Sequence, residues 1–199
     1  MNINTCYLLF VTLLILACDQ PKEAKTIEVS AEERESDYIT LFDGSSLDGW
    51  RTYNADTLSA GWGIVNGELT LKAGSKGDII YAAEEFDNFD LSLEWKIAKG
   101  GNSGIFYNVR EGEGLTGVYQ SGPEYQLIDD DGFGYPLEDW QHTAANYAMH
   151  PPKIKAHNPQ GTWNTSRIIV AEGKVQHWLN DRLIVRYELW TDEWNELRE

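Results

Sequence analysis

From Tyr38 onward the chain alternates apolar and polar positions, and turn signals interrupt it about every ten residues. That is the pattern of short antiparallel strands. Ile39-Thr40-Leu41-Phe42 reads as an opening strand, turned by Asp43-Gly44-Ser45. Residues 62–71 (WGIVNGELTL) read as a hairpin about Asn66-Gly67, because both central positions of a tight hairpin turn need positive φ. Ile79-Ile80-Tyr81 forms a further short strand. In residues 89–97 (FDLSLEWKI), Phe89, Leu91, Leu93, Trp95 and Ile97 share one face, while Asp90, Ser92, Glu94 and Lys96 share the other. Strands are also predicted over 105–110, 124–128, 167–172, 174–179 and 183–189, with turns at Gly173 and Asn180-Asp181. Only Thr191-Asp192-Glu193-Trp194 starts a helix, with a capping hydroxyl and acidic first-turn residues.

Many short strands without intervening helices predict a β-sandwich or barrel closed by a short C-terminal helix. No repeat of fixed period points to a propeller.

The N-terminal segment has a different pattern. Residues 7–17 (YLLFVTLLILA) form an apolar run too short to span a bilayer, which needs about 20 residues. The run ends Ile15-Leu16-Ala17-Cys18. This resembles the bacterial lipobox, although no Lys or Arg precedes the apolar core. Residues 1–17 are therefore expected to be a lipoprotein signal peptide, with Cys18 the lipidated residue. The alternatives are an uncleaved anchor or a plain secretory signal. Residues 19–37 hold seven acidic and three basic residues and no aromatic one, so 18–37 read as a flexible acidic tether and 38–199 as the folded domain.

Charge and cysteine content narrow the function. The chain has 32 acidic and 16 basic residues, a net charge of −16, and none of these charges falls in the signal segment. Such a domain repels nucleic acid and anionic lipid heads, so membrane association is expected only through the lipid anchor. The 2 Cys are Cys6, which leaves with the signal, and Cys18, so no disulfide holds the mature domain. Eight Trp and ten Tyr suit either core packing or sugar-stacking surfaces.

Five segments in order resemble one family. They are Leu41-Phe42-Asp43-Gly44 through Leu47-Asp48-Gly49-Trp50; Gly101-Asn102-Ser103-Gly104-Ile105-Phe106-Tyr107; Ser121-Gly122-Pro123-Glu124-Tyr125-Gln126-Leu127; Gly161-Thr162-Trp163-Asn164 with Arg167-Ile168; and His177-Trp178-Leu179-Asn180. Together they look like the 3-keto-disaccharide hydrolase domain of envelope lipoproteins, over about Tyr38 to the end. The resemblance implies an all-β concanavalin-like or glucanase-like jelly roll, a sandwich of two antiparallel sheets whose concave face holds sugar. It also implies location at the bacterial cell envelope. It further implies two strands beyond the last helix, around a Gln-Asp-His-Gly-type stretch, so this sequence is expected to lack the last strands of the domain.

The implied chemistry is cleavage of glycosides already oxidised at the 3-position. The ketone acidifies the hydrogen at C2, a base removes it, the glycosidic oxygen leaves by β-elimination, and water adds back. This route needs a base, a stabiliser for the enolate oxygen and a proton for the leaving group, not the carboxylate pair of an ordinary glycosidase. Glu124 is the first candidate base, on one strand face with Gln126, where desolvation raises a carboxylate pKa; it reads equally as a solvent-facing strand residue. His177 is the second catalytic candidate, though with Val175 and Leu179 on its face it also reads as a core histidine. Asn102, Tyr107, Gln126, Trp163, Asn164 and Arg167 are candidate substrate-binding residues; Arg167 could equally pair with an acid.

Residues 129–162 read as a long rim or lid, with Lys153 and Lys155 after paired prolines and with His142, His150 and His157. No cofactor is implied. The three His leave a divalent metal open, but their spacing shows no tight ligand pair. Asp129-Asp130-Asp131-Gly132 resembles the start of a calcium loop without the rest of it, so a solvated acidic turn is expected. Two other functions fit less of the sequence: a non-catalytic carbohydrate-binding module, and a retaining endoglucanase, whose Glu-x-Asp-x-x-Glu strand motif is missing.

Overall fold

The computed structural model describes residues 38–198. The expected signal peptide, Cys18 and the tether lie outside the described residues. Leu41–Glu199 forms one compact unit.

Ten strands and one helix follow in order: β1 Trp50–Thr52, β2 Trp62–Val65, β3 Glu68–Leu71, β4 Ile79–Tyr81, β5 Phe89–Trp95, β6 Asn102–Phe106, β7 Glu124–Ile128, β8 Asn164–Ala171, β9 Lys174–Leu179, β10 Arg182–Glu188 and α1 Asp192–Arg198. Every pairing is antiparallel. One sheet has four strands in the order β10-β9-β8-β5; the other ladders are the pairs β1-β4, β2-β3 and β6-β7. The all-β architecture with a short C-terminal helix is as expected. Beyond the four-stranded sheet, however, the strands form separate two-stranded ladders rather than one continuous second sheet.

The alternation read from the sequence becomes rows of side chains across the four-stranded sheet. Leu91, Ile168, His177 and Val185 stand side by side, flanked by the row Phe89, Val170, Val175 and Tyr187. A bulge in β10 between Leu183 and Val185 turns both Ile184 and Val185 inward, 1% and 3% exposed.

Against this face packs the β6-β7 pair, which contributes Ile105, Tyr107, Tyr125 and Leu127 to the core. The two layers are pinned by polar contacts as well as apolar ones. Ser166 Oγ on β8 meets the Tyr125 hydroxyl (2.7 Å) and accepts from Trp95 Nε1 (2.8 Å). Buried polar atoms that find one another in this way specify a register at little net cost.

Several boundaries differ from expectation. Ile39–Phe42 is not a strand: Ile39 is 54% exposed, and the Leu41 carbonyl accepts a bond from Trp50 Nε1 instead of joining a ladder. β1 lies in a stretch that gave no period-two signal. The strand expected at 105–110 runs instead over Asn102–Phe106, because Asn108 takes a left-handed conformation (φ 54) that ends it. β8 begins at Asn164, three residues before the reading from sequence. At the C-terminus, Trp194 N donates to Thr191 Oγ1 (3.1 Å), the expected helix cap, and Trp194 docks into the core.

Candidate active site

Glu124 opens β7 directly after Gly122-Pro123. Gly122 allows that entry, since a Cβ there would run into Tyr107 O and stand 2.8 Å from Val109 Cγ2. Tyr125 and Leu127 face the core, so alternation turns Glu124 and Gln126 to the opposite face of the β6-β7 pair. There the Glu124 side chain lies across β6 in the space over Gly104. A Cβ on Gly104 would collide with Glu124 Oε1 and stand only 2.8 Å from its Cγ and Cδ. A glycine inside a strand often marks such a close approach.

Among the described residues, no group hydrogen-bonds the Glu124 carboxylate. Desolvation, with the charge of Asp78 adding to it, raises its pKa to about 7. Asp78 stands just before β4, and its carbonyl accepts from Tyr53 N (3.0 Å). An unbonded carboxylate that titrates near neutrality suits a general base.

Of the other candidates, Asn102 and Gln126 share the Glu124 face. Asn102 is exposed at the far end of β6, opposite Ile128; Gln126 is buried, opposite Gly104. The rest are elsewhere. Trp163 is a surface residue, 44% exposed, with Lys96 Nζ 4.5 Å from its ring centre. Asn164 is buried, and its Oδ1 accepts from Asn158 N (2.7 Å) and Asn180 Nδ2 (2.8 Å), so it fixes a loop. Arg167 lies on the face of the four-stranded sheet away from the core, forking onto Asp90 with Nε 2.6 Å from Oδ1. The open alternative, pairing with an acid, is thus the observed arrangement. Trp163, Asn164 and Arg167 do not converge on Glu124 as substrate-binding groups.

His177 and Tyr107 sit between the layers. His177 has no solvent exposure and lies behind the strand pair from Glu124. Its Nδ1 is 3.0 Å from the Ala144 carbonyl and its Nε2 2.7 Å from the Tyr107 hydroxyl. A carbonyl only accepts, so Nδ1 carries the hydrogen and Nε2 accepts from Tyr107. Tyr107 in turn bonds the Tyr187 hydroxyl. Burial lowers the His177 pKa to about 4, opposed by the Ala144 bond and aided by His150, so the ring is neutral. Both nitrogens are taken and water is excluded. The expected acid–base roles of His177, and of Tyr107 at the sugar, therefore give way to core roles.

The stretch from Asp129 is largely irregular, as expected, but part of it is held against a strand rather than standing off as a loose rim. It returns along the free side of β7: Ala144 N donates to Gln126 O (2.9 Å), Gln126 N to Ala145 O (3.1 Å) and Tyr147 N to Glu124 O (3.1 Å). In the acidic turn Asp129 and Asp130 face inward, while Asp131 stays solvated. Asp129, 3% exposed, accepts from Gly100 N and Gly132 N, while Asp130 accepts from His142 Nδ1 (2.6 Å) and Thr143 N (3.1 Å). Among the described residues no group of three or more His, Cys, Asp or Glu side chains is placed to hold a metal ion.

A cleft of about 490 Å³ runs along β10, lined by His150, Lys153, Tyr187 and Trp194 among others. Glu124 does not line it. Sequence reasoning missed Asp78, Gly104 and the strand-like run of 144–147. Only Gly104, an isolated glycine in a strand pattern, carried a signal that could have found it.

The fold and site together define an antiparallel β-sandwich with a desolvated carboxylate on a strand face away from its core. Residues 37–199 match the 3-keto-alpha-glucoside-1,2-lyase-like domain, and the chain belongs to that family. A protein of Bacteroides thetaiotaomicron named 3-keto-disaccharide hydrolase is 35% identical over 206 aligned positions, which cover 92% of this chain and 70% of that protein. A solved structure from Parabacteroides distasonis, provisionally described as a glycosyl hydrolase, is 36% identical and superimposes with a TM-score of 0.77, covering 86% of this chain and 81% of that one. A second from the same organism, 24% identical with a TM-score of 0.59 over 78% of this chain and 67% of its own, supports the fold alone.

Proposed function

We propose that this domain cleaves the glycosidic bond of 3-keto-glycosides, 3-keto-disaccharides among them, by elimination followed by hydration, with Glu124 as the base. The observation that carries the proposal is the Glu124 carboxylate: desolvated, unbonded among the described residues, and lying in the space over Gly104. In the first step a Glu124 oxygen takes the proton from C2 and the C2–H electrons move onto the C3 oxygen as an enolate. The enolate then re-forms the ketone with a C1–C2 double bond while the C1–O bond breaks. The departing oxygen needs one proton, and Glu124 now holds one. Water finally adds across the double bond, hydroxyl at C1 and hydrogen at C2. Asn102, exposed on the same face, is available to hold a sugar hydroxyl.

The test is incubation of the full-length protein with a 3-keto-disaccharide, followed by mass spectrometry for free 3-keto-sugar and for the unsaturated intermediate. Native protein releases both sugars, and Glu124→Gln loses turnover by at least about 100-fold, as expected for removal of a general base. Turnover by Glu124→Gln within threefold of native overturns the assignment.

The same reading extends to Cys18 as a lipid attachment site that holds the enzyme at the bacterial cell envelope. It is supported by the apolar run of 7–17 and the Leu16-Ala17-Cys18 ending. Labelled palmitate incorporated by the native chain and not by Cys18→Ala supports it; equal labelling of the two overturns it.

A further inference from the structure

We propose that His177 is a positioning residue for this reaction, fixing the strand that carries Glu124 through the carbonyl of Ala144. The inference rests on Glu124 as the base and adds a residue on the other side of the strand pair.

Glu124 itself has few restraints. Its carboxylate is unbonded among the described residues, so its position is set by its backbone. On one side that backbone is held by β6, through the Phe106–Glu124 register. On the other it is held by the returning segment, where Tyr147 N meets Glu124 O (3.1 Å) and Ala144 N meets Gln126 O (2.9 Å). That segment is not a regular strand. Ala144 and Ala148 both have left-handed backbones, φ 69 and 63, which residues with a Cβ rarely adopt. A strained segment keeps such a shape only where its surroundings over-determine it.

His177 supplies that constraint. Ala144 is fully buried, and its carbonyl points into the core, where His177 Nδ1–H is its donor at 3.0 Å. The imidazole cannot turn away. Its ring packs against Tyr125 (4.8 Å between centres), Tyr187 (5.8 Å) and Tyr107 (5.9 Å). The chain of hydroxyls from Tyr187 to Tyr107 to Nε2 keeps the hydrogen on Nδ1, where Ala144 needs it. β9 thus reaches across the core to set the depth of the segment that flanks Glu124.

Two amides separate this role from mere packing, because each restores one nitrogen of the ring. His177→Asn keeps a donor where Nδ1 stood and loses the contact with Tyr107. His177→Gln reaches Tyr107 and leaves the Ala144 carbonyl without its donor. The readouts are amide hydrogen exchange at Ala144 and Tyr147, steady-state kinetics on a 3-keto-disaccharide, and the pH dependence of kcat/KM.

In His177→Gln both amides are expected to exchange at least tenfold faster. There kcat falls by about ten- to a hundredfold, the range for a base displaced by about 1 Å, with KM within threefold. The limb near pH 7 moves down as water reaches the carboxylate. His177→Asn stays within threefold of native in all of these. Thermal unfolding of both variants is followed in parallel; equal losses of turnover that simply track loss of stability overturn the inference. Unchanged exchange at Ala144 and Tyr147 in His177→Gln also overturns it, whatever the activity does. Failure of Glu124 as the base appears separately, as retained turnover in Glu124→Gln.

Discussion

Gly104→Ala gives a sharp test of the active-site geometry, because its effects on folding and on catalysis have opposite signs. The new methyl would stand 2.8 Å from Glu124 Cγ and Cδ and closer still to Oε1. Carbon atoms settle at about 3.5–4.0 Å, so the whole carboxylate arm must retreat by about 1 Å or rotate to another rotamer. The arm is flexible and its carboxylate has no hydrogen bond to lose among the described residues, so the move itself costs little. Ala also gains about 0.5–1 kcal/mol over Gly inside a strand through the unfolded chain. Stability should therefore stay within about 1 kcal/mol of native. Turnover should not, since a shift of about 1 Å in a reacting group can cost on the order of 100-fold, or about 2.7 kcal/mol of barrier. The assay is release of 3-keto-sugar from a 3-keto-disaccharide beside a thermal melt. Gly63→Ala in β2, where a Cβ meets nothing within 4 Å, is the control: it should show the same gain of about 0.5–1 kcal/mol and leave turnover unchanged. A Gly104→Ala protein that turns over at the native rate refutes the placement of Glu124 at the reaction.

Other consequences follow from the same contacts. With its pKa raised from 4.5 to about 7, Glu124 should make kcat/KM rise with pH to half its maximum near pH 7, and a limb near 4.5 would contradict the desolvated site. The sign for stability is the reverse. A carboxyl whose folded pKa exceeds its unfolded one costs nothing below about 4.5; it destabilises the fold increasingly between about 4.5 and 7, and the cost levels off above that. Glu124→Gln should then be more stable than native at pH 8, by up to about 3 kcal/mol, and equal to it at pH 4; urea titrations at the two pH values decide. Arg167→Gln loses the fork onto Asp90 and should cost about 1 kcal/mol with kcat and KM unchanged, whereas a raised KM would return Arg167 to the sugar site. Ser166→Ala strips the buried Trp95 Nε1 of its acceptor and the Tyr125 hydroxyl of one of its two partners. It should cost about 2 kcal/mol in a urea titration, and a loss under 0.5 kcal/mol would show that the pin between layers is dispensable.

The parts of this structure that were legible in the sequence are those set by local alternation. β4, β7 and β9 fall on the residues the pattern marks, and the Asn66-Gly67 turn has the positive φ values (53 and 80) that its residue types imply. Period two also assigned the faces: Glu124 with Gln126, and His177 with Val175 and Leu179. It could not say which layer would lie against each face. His177 and Glu124 belong to different layers, His177 pointing into the core and Glu124 away from it with β7 between them, so two sound readings of face do not make one site. What joins them is a backbone carbonyl at Ala144, and neither periodicity nor residue type marks a carbonyl. The returning segment was read as a loose rim for the same reason. Its pairing with β7 runs through backbone atoms from Ala144 to Tyr147, with Thr143 Oγ1 added at Ile128, in a run whose left-handed Ala144 and Ala148 break the alternation that would have announced a strand. Gly104 was the exception: a missing side chain within a strand pattern, directly across from the strand with the candidate base. The proposed chemistry falls where β6 has no side chain, because that gap lets the Glu124 carboxylate lie across the strand, desolvated and without a hydrogen-bond partner among the described residues.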